Sequence, residues 1–154
     1  MTVSICCLTY NHEKYIRQCL DGLIMQKTEF DFEILVHDDA SSDATQSIIN
    51  EYVVAYPNLI KPILQIRNQY SQGISPLRQI LFPLVKGKYV ALCEGDDYWT
   101  DPLKLQKQVD FLENHPDYSL CCHMVRRINQ QTGEELKSDY ISVSYTHLTL
   151  PTKL

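Results

Sequence analysis

The sequence predicts an α/β domain built on a mostly parallel sheet with helices on both faces. The chain alternates short apolar runs with stretches of helical spacing, which is the order typical of a parallel sheet. Several of the apolar runs end in polar clusters. The chain has 154 residues, of which 44% are hydrophobic and 21% are charged. This length and composition suit one globular domain with its own core.

Five short apolar runs predict the strands of this sheet. Each is bounded by turn signals or by polar residues, as expected of a buried strand. The runs are Thr2–Leu8, Phe32–Val36, Ile60–Ile66, Tyr89–Cys93 and Tyr118–Ile128. Cys6 and Cys7 are adjacent in the first run, so we expect their side chains on opposite faces of the sheet. Residues 129–133 predict a turn after the last run.

Apolar residues at helical spacing predict the helices between these strands. The helical stretches cover residues 15–24, 48–56 and 102–114. Short polar residues before them are the expected N-caps: Asn11, Ser42 or Asp43, and Asp101. Pro57 ends the second stretch. Residues 74–85 have similar spacing but contain Pro76 and Pro83, so we expect only the middle of that stretch to be regular.

Charge, cysteine usage and glycine patterns exclude several classes of protein. The net charge of −5 argues against a nucleic-acid-binding protein, which needs a basic surface. No apolar run approaches the ~20 residues of a transmembrane segment, and the amino terminus has no signal-peptide pattern. The six cysteines form no Cys-x-x-Cys pair, so we expect reduced, buried thiols in a cytoplasmic protein. The glycine motifs of dinucleotide-binding Rossmann enzymes, P-loop nucleotidases and serine hydrolases are absent.

Polar residues gather directly after three of the predicted strands. Residues 9–11 follow the first strand, Asp38 and Asp39 follow the second, and residues 94–97 follow the fourth. In an open parallel sheet, ligands bind outside the carboxyl ends of the strands, near the point where strand order reverses. The sequence therefore predicts one ligand site, to which all three clusters contribute.

The acidic cluster after the fourth strand predicts a divalent cation. Glu94, Asp96 and Asp97 would repel one another if no cation were present. Mg²⁺ and Mn²⁺ prefer oxygen ligands and commonly use one or two carboxylates together with phosphate oxygens. Gly95 permits a tight backbone turn that aims the neighbouring carboxylates at one point. The alternative is that these acidic residues only cap a turn.

The other clusters supply groups suited to a nucleotide. An aspartate at the end of the second strand can accept a hydrogen bond from the N–H of a pyrimidine base, and Tyr10 offers a ring that can stack on the base. The alternative for the aspartates is helix capping. Arg78 is suited either to a diphosphate or to a surface salt bridge. His12, His37, His115 and His123 show no spacing typical of a zinc site, so we interpret them as structural.

Three stretches of the sequence resemble the family-two inverting glycosyltransferases of the GT-A fold. They are Ser4–Asn11, Phe32–Asp43 and Tyr89–Trp99. The continuation Asp101–Leu105 is similar to bacterial members that build surface polysaccharides. The resemblance covers about residues 2–128 and implies a GT-A-like, Rossmann-like fold that is incomplete at its carboxyl end.

The resemblance implies a role for each matching residue. Thr9 and Tyr10 would hold uracil, Asp39 would bond the base edge, and Arg78 would lie near the diphosphate. Asp96 would face the ribose, and Asp97 would bind Mn²⁺ or Mg²⁺. Glu94 stands where the family often has aspartate. The implied reaction is the inverting transfer of a sugar from a nucleotide sugar, with UDP the expected nucleotide, to an acceptor hydroxyl.

The resemblance also implies what lies beyond this site. The acceptor would be a carbohydrate or a lipid-linked molecule, and the full-length protein would be peripheral to a membrane. Family members carry their catalytic base after the region corresponding to Ile128, and Glu134, Glu135 and Asp139 match no base motif, so the base is unknown. The alternative function is a non-catalytic nucleotide-binding module.

The chain divides, on this reading, into a nucleotide-sugar-binding part and a tail. Residues 1–142 continue the α/β pattern, whereas residues 143–154 have no helical period. Val143–Leu148 back-translates to the transposon end used to prepare sequencing libraries. We therefore expect residues 143–154 to be a non-native tail on a truncated, inactive chain.

Overall fold

The computed structural model describes residues 1–129 and 131–136. The chain forms two compact units, of which the first spans Met1–Lys107 and the second begins at Gln108. The first unit contains the main sheet and every residue predicted for the nucleotide site. The second contains an antiparallel pair of short strands, β5 (Arg127–Ile128) and β6 (Glu135–Leu136). The expected tail, residues 143–154, lies outside the described residues.

The main sheet has four parallel strands. Their order across the sheet is β3-β2-β1-β4. Strand order therefore reverses at β1, which places a topological switch point between β1 and β4. The strands are β1 (Val3–Thr9), β2 (Phe32–Asp38), β3 (Ile60–Leu64) and β4 (Tyr89–Glu94). The first two and the last agree closely with the predicted runs, whereas β3 stops two residues early.

In the part of the chain that the structure describes, three α-helices and three short irregular helices connect the strands. The α-helices are α1 (Ile16–Ile24), α2 (Thr45–Ala55) and α3 (Lys104–Asn114). Between β3 and β4 the chain forms 3₁₀ turns at Tyr70–Gln72 and Phe82–Leu84, with a π-helical turn at Pro76–Leu81. Pro76 begins the π-helical turn, where a proline is tolerated, whereas Pro83 cannot donate the backbone hydrogen bond that would continue that turn. None of the helices in the described part of the chain is long and apolar enough to cross a membrane.

Helices cover both faces of the sheet, as the sequence predicts. Cys7 of β1 contacts Cys19 of α1, with 3.8 Å between the sulfurs. On the opposite face, Cys6, Leu35 and Leu81 pack together, which places the π-helical turn there. Adjacent cysteines reach opposite faces because side chains alternate along a strand.

The first helix pair is held together at its surface by polar contacts. Arg17 Nη2 lies 2.7 Å from Glu51 Oε2. The Tyr52 hydroxyl donates to Asp21 Oδ1 at 2.7 Å. Burial, together with the carboxylate of Asp21, raises the pKa of Tyr52 to about 12. Since α1 lies against the Cys7 face, these contacts keep α2 beside it.

The prediction that Asn11 caps α1 is wrong. Tyr15 occupies the N-cap position and makes no side-chain cap hydrogen bond. Asn11 instead has a left-handed backbone, with φ of 55°, and its Oδ1 accepts from Ser42 N at 2.8 Å. Asparagine favours this conformation and local turn bonds, so it serves the loop rather than the helix.

The cap of α2 is displaced by one or two residues from the prediction. Ala44 occupies the N-cap position and makes no side-chain cap hydrogen bond. Asp43, one residue earlier, accepts from Thr45 N at 2.9 Å through Oδ1. A carboxylate therefore does satisfy the first turn, although not from the N-cap position itself.

The predicted strand Tyr118–Ile128 is also wrong over most of its length. Of residues 118–128, all of which the structure describes, only Arg127 and Ile128 are in a strand, and they pair with β6. A strand forms only where another strand satisfies its backbone N–H and C=O groups. An apolar run cannot reveal whether such a neighbour exists.

Candidate nucleotide site

The carboxyl ends of β1, β2 and β4 meet at one edge of the sheet. Thr9 is aligned with Asp38 on one side, and Leu8 is aligned with Glu94 on the other. Two hydrogen bonds continue this pairing past the strands, from Asp39 N to Thr9 O at 3.0 Å and from Gly95 N to Leu8 O at 2.7 Å. The three polar clusters therefore meet at the predicted place.

A cavity of about 300 Å³ opens at this edge. Thr9, Tyr10 and Asp39, all predicted site residues, line it. Tyr10 is 47% exposed, so its ring is accessible for stacking. The cavity is also lined by His12, His37, Tyr70 and Glu94, of which the first three were not predicted from the sequence as nucleotide-binding residues.

Asp39 joins the cavity to the loop that follows β3. Its Oδ1 accepts from Gln69 N at 2.7 Å, and its Oδ2 accepts from Tyr70 N at 3.0 Å. Asn68 Nδ2 also donates to the Asp39 carbonyl at 3.1 Å. A carboxylate has about four acceptor positions, so Asp39 keeps capacity for a ligand. It therefore also holds the loop that brings Tyr70 to the cavity, a role that spacing alone could not reveal.

Asp38, the neighbour of Asp39, is fully buried and serves the protein itself. Its Oδ2 accepts from Ser41 N at 2.9 Å and from Gln46 Nε2 at 2.6 Å. The Ser41 hydroxyl donates to its Oδ1. An aspartate that bonds the backbone a few residues ahead is a common turn device. The two adjacent aspartates therefore have different roles.

The loops after β1 and β2 are fastened to each other. Asn11 N donates to Ser41 Oγ at 2.8 Å, and His12 N donates to Thr45 Oγ1 at 2.9 Å. Ala44 N donates to Glu13 Oε2 at 3.0 Å. These hydrogen bonds hold in place the two loops that carry Tyr10 and Asp39.

The acidic turn after β4 packs closely against the end of β1. A Cβ on Gly95 would lie 2.7 Å from Thr9 Oγ1 and 2.9 Å from His12 Nδ1, so a larger residue cannot fit without movement. Asp97 N donates to Glu94 O at 3.0 Å and closes the turn. His12 Nε2 lies 4.0 Å from Asp96 Oδ2. The tight turn expected at Gly95 is therefore present, and the close approach to Thr9 and His12 is a further reason for a glycine there.

The acidic turn has the chemistry of a magnesium or manganese site. Glu94, Asp96 and Asp97 are exposed and offer only oxygen ligands. Among the described residues, no group of three His, Cys, Asp or Glu side chains is placed to hold a metal ion by itself. Mg²⁺ commonly binds one or two carboxylates and takes its remaining ligands from phosphates and water. The donor set therefore fits a metal bound together with a diphosphate.

Arg78 lies on the π-helical turn and is exposed. Its backbone N–H is 3.4 Å from Ser75 Oγ, the cap of that turn. Arg78 does not line the cavity, although Pro76 and Leu77, just before it, do. The structure thus brings Thr9, Tyr10 and Asp39 together, and places Arg78 on the segment that walls the same cavity.

Three cavity-lining side chains carry buried polar atoms that have no hydrogen-bond partner among the described residues. They are Thr9 Oγ1, His12 Nδ1 and both ring nitrogens of His37. Burial lowers the pKa of His37, and the nearby carboxylates of Asp39 and Asp38 oppose that shift. His37 is therefore neutral near pH 7. A sequence gives no sign of such atoms, because burial and pairing are properties of the folded chain.

Comparison with known proteins identifies relatives that carry this region. An uncharacterized protein of Mycobacterium tuberculosis, Rv1520, is 47% identical over 133 residues, which is 86% of this chain and 38% of the relative. The Escherichia coli UDP-Glc:alpha-D-GlcNAc-diphosphoundecaprenol beta-1,3-glucosyltransferase WfaP is 32% identical, over 72% of this chain and 41% of the relative. The chain thus spans about two fifths of the length of these relatives.

Solved structures share the same architecture. Residues 1–349 of S. aureus TarS, solved in complex with UDP-GlcNAc, are 30% identical with a TM-score of 0.62, over 75% of this chain and 32% of that TarS fragment. The mannosyltransferase PcManGT from Pyrobaculum calidifontis, in complex with GDP-Man and Mn²⁺, has a TM-score of 0.61 over 71% of this chain and 32% of that enzyme. Its identity of 22% supports the fold alone.

The family profile agrees with the fold, the relatives and the arrangement of the sheet edge. The profile of Glycosyl transferase family 2 matches residues 4–153. This match spans most of the chain and includes all three polar clusters. The chain therefore belongs to glycosyl transferase family 2, and its sheet has the GT-A-like arrangement that the sequence predicted.

Proposed function

We propose that this chain is the nucleotide-sugar-binding part of a glycosyltransferase that uses a UDP-sugar. The observation that carries the proposal is the cavity at the carboxyl edge of the sheet, where Tyr10 and Asp39 lie beside the acidic turn. The relative WfaP is named for UDP-Glc, and TarS was solved with UDP-GlcNAc, which supports UDP as the nucleotide. The sugar would be transferred to an acceptor hydroxyl with inversion, in surface polysaccharide synthesis.

Each predicted residue has a defined task in this proposal. Tyr10 stacks on uracil, with the backbone of Thr9 beside it, and Asp39 accepts a hydrogen bond from the base. Asp96 faces the ribose. Arg78 lies on the segment that walls the cavity and balances charge on the diphosphate. The exposed ring of Tyr10 and the free acceptor capacity of Asp39 support these tasks.

A divalent cation completes the donor site. Asp97 would hold Mn²⁺ or Mg²⁺, which supplies positive charge to the leaving diphosphate when bound. Without it, an anionic diphosphate would face the carboxylates of the acidic turn at close range. Arg78 would add a second positive group near the same charge.

The remaining parts of the reaction belong to the longer protein. No residue of this chain is proposed as the catalytic base. We propose that residues 1–142 are the nucleotide-sugar-binding part of a truncated chain. This chain would therefore be inactive in sugar transfer. The acceptor would be a carbohydrate or a lipid-linked molecule, with peripheral membrane association of the full-length protein. All six cysteines are unpaired, which supports a reducing, cytoplasmic compartment.

Calorimetry with UDP tests the metal part of this proposal. UDP should bind with Mn²⁺ present, and weakly or not at all after chelation. Asp97→Asn should lower the metal-dependent affinity at least tenfold, because it removes the proposed ligand charge. Asp31→Asn is the matched control, since Asp31 is exposed and precedes β2 at the other edge of the sheet. Unchanged metal-dependent affinity in Asp97→Asn would refute the assignment of Asp97.

Comparison of UDP with ADP tests the base part. A site built on a hydrogen bond to the base rejects partners that leave the bond unmade. We expect the wild-type chain to prefer UDP and Asp39→Ala to lose affinity for it. Because Asp39 also holds residues 69 and 70 through both carboxylate oxygens, the affinity of Asp39→Ala for ADP is measured as well. Loss of loop support lowers the affinity for both nucleotides, whereas loss of the base contact lowers only that for UDP. Equal affinity for UDP and ADP would contradict the role of Asp39.

A further inference from the structure

His37 is the penultimate residue of β2 and lies in the wall of the nucleotide cavity. It is fully buried, with 0% of its surface exposed. Neither ring nitrogen has a hydrogen-bond partner in the described part of the chain. The same cavity is lined by Tyr10 and Asp39, so the histidine lies among the groups proposed to hold the base.

An unpaired buried imidazole calls for an explanation. Buried polar groups in native proteins almost always have a partner, because an unpaired one loses its hydrogen bonds to water and gains nothing in return. When no protein group supplies the partner, a ligand or an ordered water does. Since His37 faces a ligand-sized cavity, a bound ligand can supply it.

The charge state of His37 decides what it can offer. Burial lowers its pKa, so the ring is neutral near pH 7 and carries one N–H donor and one bare nitrogen acceptor. Asp39, two residues later, offers carboxylate oxygens, which accept hydrogen bonds. The cavity therefore presents a donor and an acceptor close together on neighbouring positions of β2 and its loop.

The base edge of uracil is complementary to such a pair. Its N3–H is a donor that lies between two carbonyl oxygens, which accept. An aspartate that takes the N3–H leaves an adjacent carbonyl in need of a donor, and among the cavity-lining residues named above only His37 has ring nitrogens that are fully buried and both unpaired.

We propose that His37 donates a ring N–H to a carbonyl oxygen of the uracil base and is a specificity-determining residue of the site. The inference rests on the proposed UDP-binding function and extends it. Asp39 then accepts from the N3–H, His37 donates to the neighbouring carbonyl, and Tyr10 stacks on the uracil ring.

Thio analogues of UDP test this contact without any change to the protein. Sulfur is a weaker hydrogen-bond acceptor than oxygen. One of the two analogues, 2-thio-UDP or 4-thio-UDP, has sulfur in place of the carbonyl oxygen that His37 contacts. That analogue should bind about fivefold to tenfold more weakly than UDP. The other analogue should bind like UDP. If the wild-type chain binds UDP and both analogues equally, the proposal is overturned.

Variants of His37 then link the effect to this residue. His37→Leu should lose about the same fivefold to tenfold in UDP affinity and no longer discriminate between UDP and the weaker analogue. The side-chain NH2 can replace the ring donor at Nε2 in His37→Gln and at Nδ1 in His37→Asn. One of these two variants should therefore still bind UDP more tightly than the weaker thio analogue. Manganese pyrophosphate, which has no base, should bind all of these variants as it binds the wild-type chain.

The outcomes separate this inference from the function on which it rests. If the wild-type chain binds no UDP, the proposed function fails and the inference fails with it. If UDP binds but His37→Leu still discriminates between the analogues, only the inference fails. If His37→Leu does not fold, the analogue series on the wild-type chain and on His37→Gln decides the question.

Discussion

At the scale of single residues, Ala40 carries strain that its neighbours impose. Its φ is 63°, a left-handed conformation that alanine adopts only at a cost. The residue lies between Asp39 and Ser41, whose side chains are both committed to hydrogen bonds across loops. Those bonds hold the turn in place, so the strain at Ala40 persists in the folded chain.

Replacement of Ala40 by glycine should therefore stabilise the protein. Glycine adopts positive φ without a clash, although it gains freedom in the unfolded chain, so we expect Ala40→Gly to raise the free energy of unfolding by about 1 kcal/mol. Urea denaturation measures the change. Ala55→Gly, at the exposed last residue of α2, should instead lower it by about 0.5–1 kcal/mol. A fall in stability in Ala40→Gly would show that the turn is not strained.

At the scale of elements, three thiols join α1 to the sheet beneath the acidic turn. Cys19 of α1 lies 3.8 Å from Cys7 of β1 and 3.9 Å from Cys93 of β4, measured between sulfurs. The Cys19 thiol also donates to the carbonyl of Glu94 at 3.4 Å. Hydrogen bonding within the cluster and burial raise the pKa of Cys93 and Cys19. The cluster thus supports the backbone from which the acidic turn begins.

Alkylation should separate these thiols from an exposed one. The thiolate is the reactive form, and burial raises the pKa of Cys6 to about 12, which lowers its thiolate fraction about a thousandfold. With iodoacetamide at pH 8, mass spectrometry should find Cys122 modified first, because it is exposed. Cys6, Cys19 and Cys93 should react only after denaturant is added. Cys122→Ser should remove the fast phase, and rapid modification of Cys19 in the native chain would contradict the packing.

Local sequence patterns predicted some elements of the fold correctly and others wrongly. The four parallel strands were predictable because each is a short apolar run, and alternation fixes which side chains of β1 face α1. Three of the failures share one cause. Asn11, the end of β3 and the run after Tyr118 all depend on partners far away in the chain, and hydropathy does not encode those partners.

At the scale of the whole molecule, parallel topology explains why the site was partly predictable. Parallel strands bring their carboxyl ends to one edge, so residues near 9, 39 and 95 had to meet once the strand order was known. Asp38 and Asp39, which look equivalent in sequence, differ because one bonds its own turn and the other bonds Gln69 and Tyr70. His37 was interpreted as structural from the sequence, because only the fold buries its ring beside the cavity.

Ligand binding should therefore alter one edge of the sheet and leave the other unchanged. Gln69 and Tyr70 donate their amides to Asp39, and Gly95 donates to Leu8 beside the acidic turn. We expect UDP with Mn²⁺ to slow hydrogen exchange at these amides, because the ligand stabilises the closed loops that contain them.

The amino edge of the same sheet provides the internal control. Lys86 N and Gly87 N donate to Ser4 Oγ at 3.1 and 2.9 Å, near the start of β1 and about 16 Å from Thr9 along the strand. Under conditions where these two amides exchange by local opening and not by global unfolding, their hydrogen-exchange rates should not change when ligand is added. Mass spectrometry with residue-level fragmentation measures both edges in one sample. Equal slowing at both edges would indicate general stabilisation, and no slowing at Gln69 and Tyr70 would mean that the ligand does not use the edge at which three strands end.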